Sequence, residues 1–297
     1  MEKRSFKERL KNEYLGQGFS VACGILIILI TISIIVFIAS KGLRIFTTDG
    51  YSVTEFLFKS DWKPNKGGEP SFGALAFILG STVVSIGAVI LSAPIAIALA
   101  IFVNVISSKV GKRIIKPSLE ILVGIPSVVY GWVGISVLVP IIKSNFGGMG
   151  FSMLAGVLVL SLMILPTIAT LSIDAITTIP KDHIEASYGL GATRWQTIYR
   201  IIVPGAKTGI LTGVVLGIAR AFGEALAVQM VIGNTVKIPD NLLGSMSTLT
   251  SVITMEMANT VGGTPENDAL WTLALILLVI SFIFIVMVRK IEKRSAV

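Results

Sequence analysis

Two stretches without a charged residue limit what this chain can fold into more than any other feature. Gln17 to Ser40 runs 24 residues without Asp, Glu, Lys or Arg, and Pro70 to Ser108 runs 39. About 20 apolar residues cross the roughly 30 Å hydrocarbon core of a bilayer as a helix, so each run is long enough to span. The second exceeds one upright span, which predicts a tilted helix or an interfacial first part. Pro94 is expected to kink it, since proline removes a ladder donor. Further apolar segments follow at Ile121–Ile142, which contains Pro126 and Gly131, and within 152–173 after a Gly147–Gly148–Met149–Gly150 turn. A fifth covers 206–232 and a sixth Ala269–Val288.

These segments predict an all-α polytopic membrane protein with six transmembrane helices. Residues 1–16 read as a soluble basic segment and 17–40 as a retained first span, too long and without the small-residue cleavage site of a signal peptide. Residues 41–70, with Trp62, Pro64 and Gly67–Gly68, read as an exposed loop. A core of five spans occupies 71–288, with a polar loop at 174–205 and a connecting loop from Gly233 to Asp268. The 41–70 and 233–268 loops are candidate contacts for an external partner or plain connections. Residues 289–297 form a basic tail. With 53% hydrophobic and 14% charged residues, little of the 297-residue chain is left for a separate soluble domain.

Several chemistries are not expected. Cys23 is the single cysteine, which excludes a disulfide within the chain, and His183 has no cysteine at metal-ligand spacing. No G-x-x-x-x-G-K-[ST] phosphate loop occurs. No cofactor, metal or catalytic residue is assigned, and any energy source must be a partner. Lys and Arg fall unevenly on alternate sides of the spans, 17 on the side of the termini, residues 109–116 and the polar loop against 7 on the other. That bias places both termini and the polar loop in the cytoplasm. It also accounts for the formal net charge of +8 without nucleic acid.

The polar interruption spans Asp182–Pro204. Pro180 and Asp182 suit a helix start, Gly189 and Gly191 a break, and Thr193 with Gln196 a capping box for a second short helix. Trp195, Ile198, Tyr199 and Ile202 recur at i, i+3, i+4, i+7, giving that helix an apolar face. Pro204–Gly205 marks its end or a kink. Two short helices at a glycine corner form a shape that fits a groove on another protein, although an amphipathic loop between spans would show the same periodicity.

Within the fifth segment, Arg220 and Glu224 stand among apolar and small residues. A helix would put both on one face, within the stripe of Gly209, Gly213 and Gly217 where a neighbouring helix approaches closely. One reading is an Arg–Glu pair that fixes helix packing. The other is a guanidinium offering forked donors to an oxyanion in transit, with Glu224 holding it in place.

Glu185-Ala186-Ser187, Gly191 and Ile201-x-Val203-Pro204 resemble the EAA-type signature of ABC-importer permeases, with Ser187 and Val203 departing from the strict pattern. In that family the loop is cytoplasmic and docks on the ATPase subunit, which implies coupling roles for Glu185, Ala186, Ser187, Gly191, Ile201 and Pro204. The run Ala219-Arg220-Ala221-Phe222-Gly223-Glu224-Ala225-Leu226-Ala227-Val228, then Ile232-Gly233-Asn234, resembles the PstC permeases of phosphate-specific ABC importers. That resemblance implies a type I permease architecture and a phosphate path at Arg220 and Glu224. It implies a second, PstA-like permease subunit, a PstB-like ATPase dimer that binds ATP and Mg, and an extracytoplasmic PstS-like phosphate-binding protein. A permease for sulfate, molybdate or a phosphonate would share the architecture. A secondary transporter using Arg220–Glu224 as a proton relay would leave the polar loop without a role.

Overall fold

The computed structural model describes residues 15–64 and 70–295, and these are mainly helical. Residues 1–14, the Gly67–Gly68 pair and the last two residues of the tail lie outside the described residues. The helices used below are α1 (Leu15–Gly42), α2 (Leu75–Ile101), α3 (Lys116–Gly124), α4 (Ser127–Val133), α5 (Val139–Phe146), α6 (Met153–Thr177), α7 (Lys181–Gly189), α8 (Arg194–Thr197), α9 (Lys207–Gly223), α10 (Leu226–Ile232), α11 (Leu249–Glu256) and α12 (Pro265–Ser295). Among the described residues, five segments are long and apolar enough to cross a membrane: Gly16–Thr47, Leu75–Ile106, Ser127–Phe146, Met153–Thr177 and Pro265–Met287. Counting the bent pair Arg194–Gly205 and Lys207–Gly223 as one broken segment brings the number to six.

α6 is the central post. It is the most buried of these spans, and α2 and α9 pack along it. Its contact with α9 depends on glycine. A Cβ at Gly209 would sit 2.4 Å from the Ala175 Cβ, and one at Gly217 would sit 2.7 Å from Ile168 Cγ1. At Gly213 the nearest atom would be the Leu171 Cβ at 3.1 Å. Without hydrophobic drive between helices in lipid, such close backbone approach is what holds two spans together. α1 stands outside this core with its apolar side chains exposed, and it is fastened to α12 at one end. There Phe37 meets Trp271 edge-on at 5.3 Å, and the Thr272 hydroxyl donates to the Gly42 carbonyl at 2.7 Å.

Three sequence expectations need correction. The described residues of 41–70, which are 41–64 and 70, are not simply an exposed loop. They hold short helices at Arg44–Thr47 and Val53–Phe58 and a strand, β1 (Trp62–Lys63), paired antiparallel with β2 (Ser71–Phe72). Phe56, Trp62, Phe72 and Phe77 stack edge to face at centroid distances of 5.3–6.4 Å, and Ile45 and Phe56 are buried. The aromatic surface is large enough to close a second core despite the surrounding charges. The 233–268 connection contains α11, which begins at a capping box between Thr248 and Ser251 and buries Leu249 and Val252. The third apolar segment is broken between α3 and α4, because Pro126 lacks the N–H that would continue α3 into α4. α2, by contrast, passes Pro94 without ending.

Beside the aromatic core, Arg44 Nε lies 3.6 Å from the buried Asp268 Oδ2. Asp49 Oδ2 and Asp268 Oδ1 are both buried without a partner. Burial pushes the Asp49 carboxyl above its usual range, nearby Asp268 adds to this, and Arg44 opposes it. The folded state therefore binds a proton here more tightly than the unfolded chain. The contribution of Asp49 to stability is therefore greatest at acid pH and is lost as pH rises through the raised value. Asp49→Asn is expected to remove this slope, giving a variant that gains thermal stability over wild type at pH 8 and loses that advantage at pH 4. Gly209→Val is expected to cost about 1–3 kcal/mol by overpacking, read as a lowered Tm in detergent.

Candidate functional site

The polar loop forms two short helices at a corner. α7 begins after Pro180, and Gly191 takes a left-handed φ of 79° at the turn. The Thr193 hydroxyl accepts from the Gln196 N–H, and the Gln196 side chain accepts from the Thr193 N–H at 2.8 Å, which starts α8. Ser187 and the buried Thr197 share a hydrogen bond at 3.0 Å that ties α7 to α8. The apolar face read from the sequence is divided. Ile198 and Ile202 are buried in the main core, whereas Trp195 is 66% exposed and Tyr199 also faces out. The backbone passes through a π-helical turn at Ile198–Ile202, which breaks the 100° spacing behind that expectation. A groove of about 520 Å³ runs between the helices, lined by Ala186, Ser187, Gly191 and Ile201 among others. Glu185 is exposed, and Pro204 precedes the 66° bend into α9.

Arg220 and Glu224 do not share a helical face. α9 ends at Gly223, and Glu224 is extended at φ −76°, ψ 127°. The i, i+4 projection fails because the helix stops between them. Among the described residues no ion pair within 4.0 Å joins the two. Arg220 instead extends from α9 to α6, where its Nη1 donates to Thr167 Oγ1 at 2.9 Å. Tyr130 of α4 lies within electrostatic reach of the same guanidinium, and its hydroxyl donates to the Leu122 carbonyl across the α3–α4 break at 2.8 Å. Glu224 turns to the second half of the broken span, its Oε1 accepting from the Ala227 N–H of α10 at 3.1 Å. The Glu224 carbonyl, released by the break, accepts from the Thr250 hydroxyl of α11 at 2.8 Å.

Hydroxyls gather around this break. Ser81 and Ser85 of α2, Thr248, Thr250 and Glu224 surround a cavity of about 10 Å³, close to the volume a single water needs. Ser81 Oγ accepts from the Leu249 N–H at the start of α11 at 2.8 Å. Thr248 and Thr250 share a hydrogen bond at 3.1 Å. Sequence reasoning missed Thr167, Tyr130 and this hydroxyl group. Isolated Ser and Thr within apolar runs, such as Ser81 and Ser85 one turn apart, were the available signal. Among the described residues no three His, Cys, Asp or Glu side chains gather closely enough to hold a metal ion.

A type I permease architecture is therefore joined to a polar corner at one end of the bundle and a broken, charged span within it. Residues 92–297 match the binding-protein-dependent transport system inner membrane component family, and the chain belongs to that family. It is a permease subunit of an ABC importer. It is 47% identical over 294 residues to the probable ABC transporter permease protein YqgH of Bacillus subtilis, covering 99% of this chain and 95% of that one. It is 32% identical over 274 residues to the phosphate transport system permease protein PstC of Pasteurella multocida, covering 84% and 83%. The fold is also that of a bacterial alginate ABC transporter chain, with a TM-score of 0.68 at 14% identity over 98% of both chains. The methionine transporter MetNI, in an inward-facing conformation, gives a TM-score of 0.57 at 17% identity over 75% of this chain and 94% of that one.

Glu224→Ala removes the carboxylate that holds the first turn of α10. The expected cost is about 0.5–2 kcal/mol, the range for a lost N-terminal cap. Faster hydrogen–deuterium exchange confined to residues 226–232 is the signature to measure.

Proposed function

We propose that this chain is the PstC-like permease of an ATP-driven phosphate importer in a bacterial cell membrane. Arg220 carries this reading. Its guanidinium is held inside the bundle by a neutral hydroxyl, and no carboxylate lies within 4.0 Å among the described residues. A charge placed at that depth is costly and is kept where it meets a partner or a pathway. An oxyanion supplies the missing negative charge, and a guanidinium offers it forked donors. The relatives named as phosphate transport permeases support phosphate as that anion, whereas the name of the 47% identical relative specifies none.

The family and the charge bias support the remaining components of this reading. The excess of Lys and Arg on the side of the polar loop assigns that loop and both termini to the cytoplasm. There Glu185, Ala186, Ser187, Gly191, Ile201 and Pro204 meet a PstB-like ATPase dimer that binds ATP and Mg. A PstA-like subunit completes the path, and a PstS-like protein delivers phosphate from outside. No covalent step takes place on this chain. ATP-driven closure of the ATPases displaces the corner helices and rocks the spans around Arg220.

The test is ATP-dependent uptake of labelled phosphate into proteoliposomes carrying the four components, with sulfate as competitor. Arg220→Gln is expected to assemble and hydrolyse ATP while phosphate uptake falls about 100-fold, the scale for losing a charge-assisted contact in a desolvated site. Excess sulfate should leave wild-type uptake unchanged. Normal uptake by Arg220→Gln reduces Arg220 to packing and refutes the path. Competition by sulfate reassigns the anion.

A further inference from the structure

We propose that Arg194 and Asn104 form the joint that passes movement of the polar loop into α2 and α6, and so are positioning residues for coupled transport. The proposal rests on the coupling role assigned above. α2 continues into a π-helical turn at Phe102–Ile106, and the chain then leaves the helix at Ser107 with φ −144° and ψ 78°. The carbonyls of Val105 and Ile106 are therefore left at a helix end without the N–H groups of a following turn. Arg194, the first residue of α8, reaches them from 88 residues away in sequence. Its Nη2 donates to the Val105 carbonyl and, at 3.0 Å, to the Ile106 carbonyl. A guanidinium at a helix C-terminus also meets the negative end of the helix dipole.

The adjacent residue makes the second half of the joint. Asn104 Nδ2 donates to the Ile173 carbonyl of α6 at 3.0 Å and to the Ala100 carbonyl of its own helix at 3.2 Å. Its Oδ1 accepts from the Thr177 hydroxyl at 3.0 Å. Three consecutive residues, 104–106, thus tie α8 to α2 and α2 to α6 by directed hydrogen bonds. The Ser187–Thr197 bond makes α7 and α8 one unit, so displacement of either reaches Arg194.

α2 gives the joint its reach. From Asn104 back to Ser81 the chain is helical, a distance of about 35 Å at 1.5 Å per residue. At that far end Ser81 holds the first residue of α11 and, with Ser85, lines the cavity that contains Glu224. One helix therefore links the corner that meets the ATPase to the broken span that carries the charged residues.

The experiment uses the reconstituted four-component complex with Arg194→Gln, Arg194→Lys and Asn104→Ala. Three signals are read: ATPase subunits retained on the permease, acceleration of ATP hydrolysis by phosphate-loaded binding protein, and ATP consumed per phosphate moved. Arg194→Gln and Asn104→Ala are expected to retain the ATPase subunits and basal hydrolysis. The acceleration should fall and the ATP consumed per phosphate should rise, each by about tenfold for Arg194→Gln, the scale of one charge-assisted hydrogen bond, and by about fivefold for Asn104→Ala, whose lost bonds are neutral. Arg194→Lys should recover much of the coupling, since an ammonium also donates to carbonyls. Wild-type ratios in Arg194→Gln overturn the proposal. Loss of the ATPase subunits from that variant also overturns it, by making Arg194 a docking contact. A wild-type complex that hydrolyses ATP but moves no phosphate refutes the proposed substrate instead. In that case acceleration of ATP hydrolysis by the binding protein loaded with its own anion decides the joint.

Discussion

Inside a bilayer each backbone N–H and C=O must find its partner within the protein, and this structure depends on how that demand is met where helices break. A continuous helix meets it automatically, and the uncharged stretch of α1 from Gln17 to Ser40 needs nothing more. The break at Ile125–Pro126 and the one at Glu224–Ala225 do not. At the first, the Tyr130 hydroxyl takes the Leu122 carbonyl. At the second, Glu224 takes an N–H of α10, and Thr250 takes the carbonyl of Glu224. An unsatisfied group at these depths costs several kcal/mol, so the side chains that answer the breaks are conditions for having them. Irregular backbone at membrane depth is tolerated where it is buried in protein or lines a cavity. The second break meets that condition beside the hydroxyl-lined cavity and the only glutamate of its span.

The glycine contact between α9 and α6 sets the position of Arg220. Gly209, Gly213 and Gly217 let the two backbones approach until added Cβ atoms would collide or be tightly crowded, and Arg220 follows on the same helix. Its guanidinium then meets Thr167 on α6, directly after Pro166. Small residues thus do more than pack the bundle. They bring a charged side chain within hydrogen-bond distance of the most buried helix, where water is scarce and a guanidinium interacts strongly with any anion that enters.

Much of this was legible in the sequence because spans and caps are local. The uncharged runs marked the crossing helices, Thr193 and Gln196 marked the start of α8, and Pro204–Gly205 marked the bend. What failed depended on partners distant in sequence. The aromatic core needs Phe56, Trp62, Phe72 and Phe77 brought together by the pairing of two strands of two residues each, which no periodicity announces. Arg220 and Glu224 were read as one helical face because nothing in the run Ala221-Phe222-Gly223 forces a stop. The stop is accommodated by Thr250, 26 residues later, and by the carboxylate turning to Ala227. Trp195 and Ile198 were placed on one face for a similar reason, since a π-helical turn has no dependable sequence signature.

The central claim is that the broken span between Arg220 and Ala225 lines the route of an anion. Cysteine accessibility tests it most directly. In a Cys23→Ser background, Gly223→Cys and Ala225→Cys would be exposed to a water-borne, membrane-impermeant thiol reagent during ATP turnover, with and without phosphate. The proposed phosphate path predicts labelling that depends on turnover and is slowed by phosphate but not by sulfate. Labelling that ignores both ATP and phosphate, or that never occurs in an assembled and active complex, would contradict a pathway at this break.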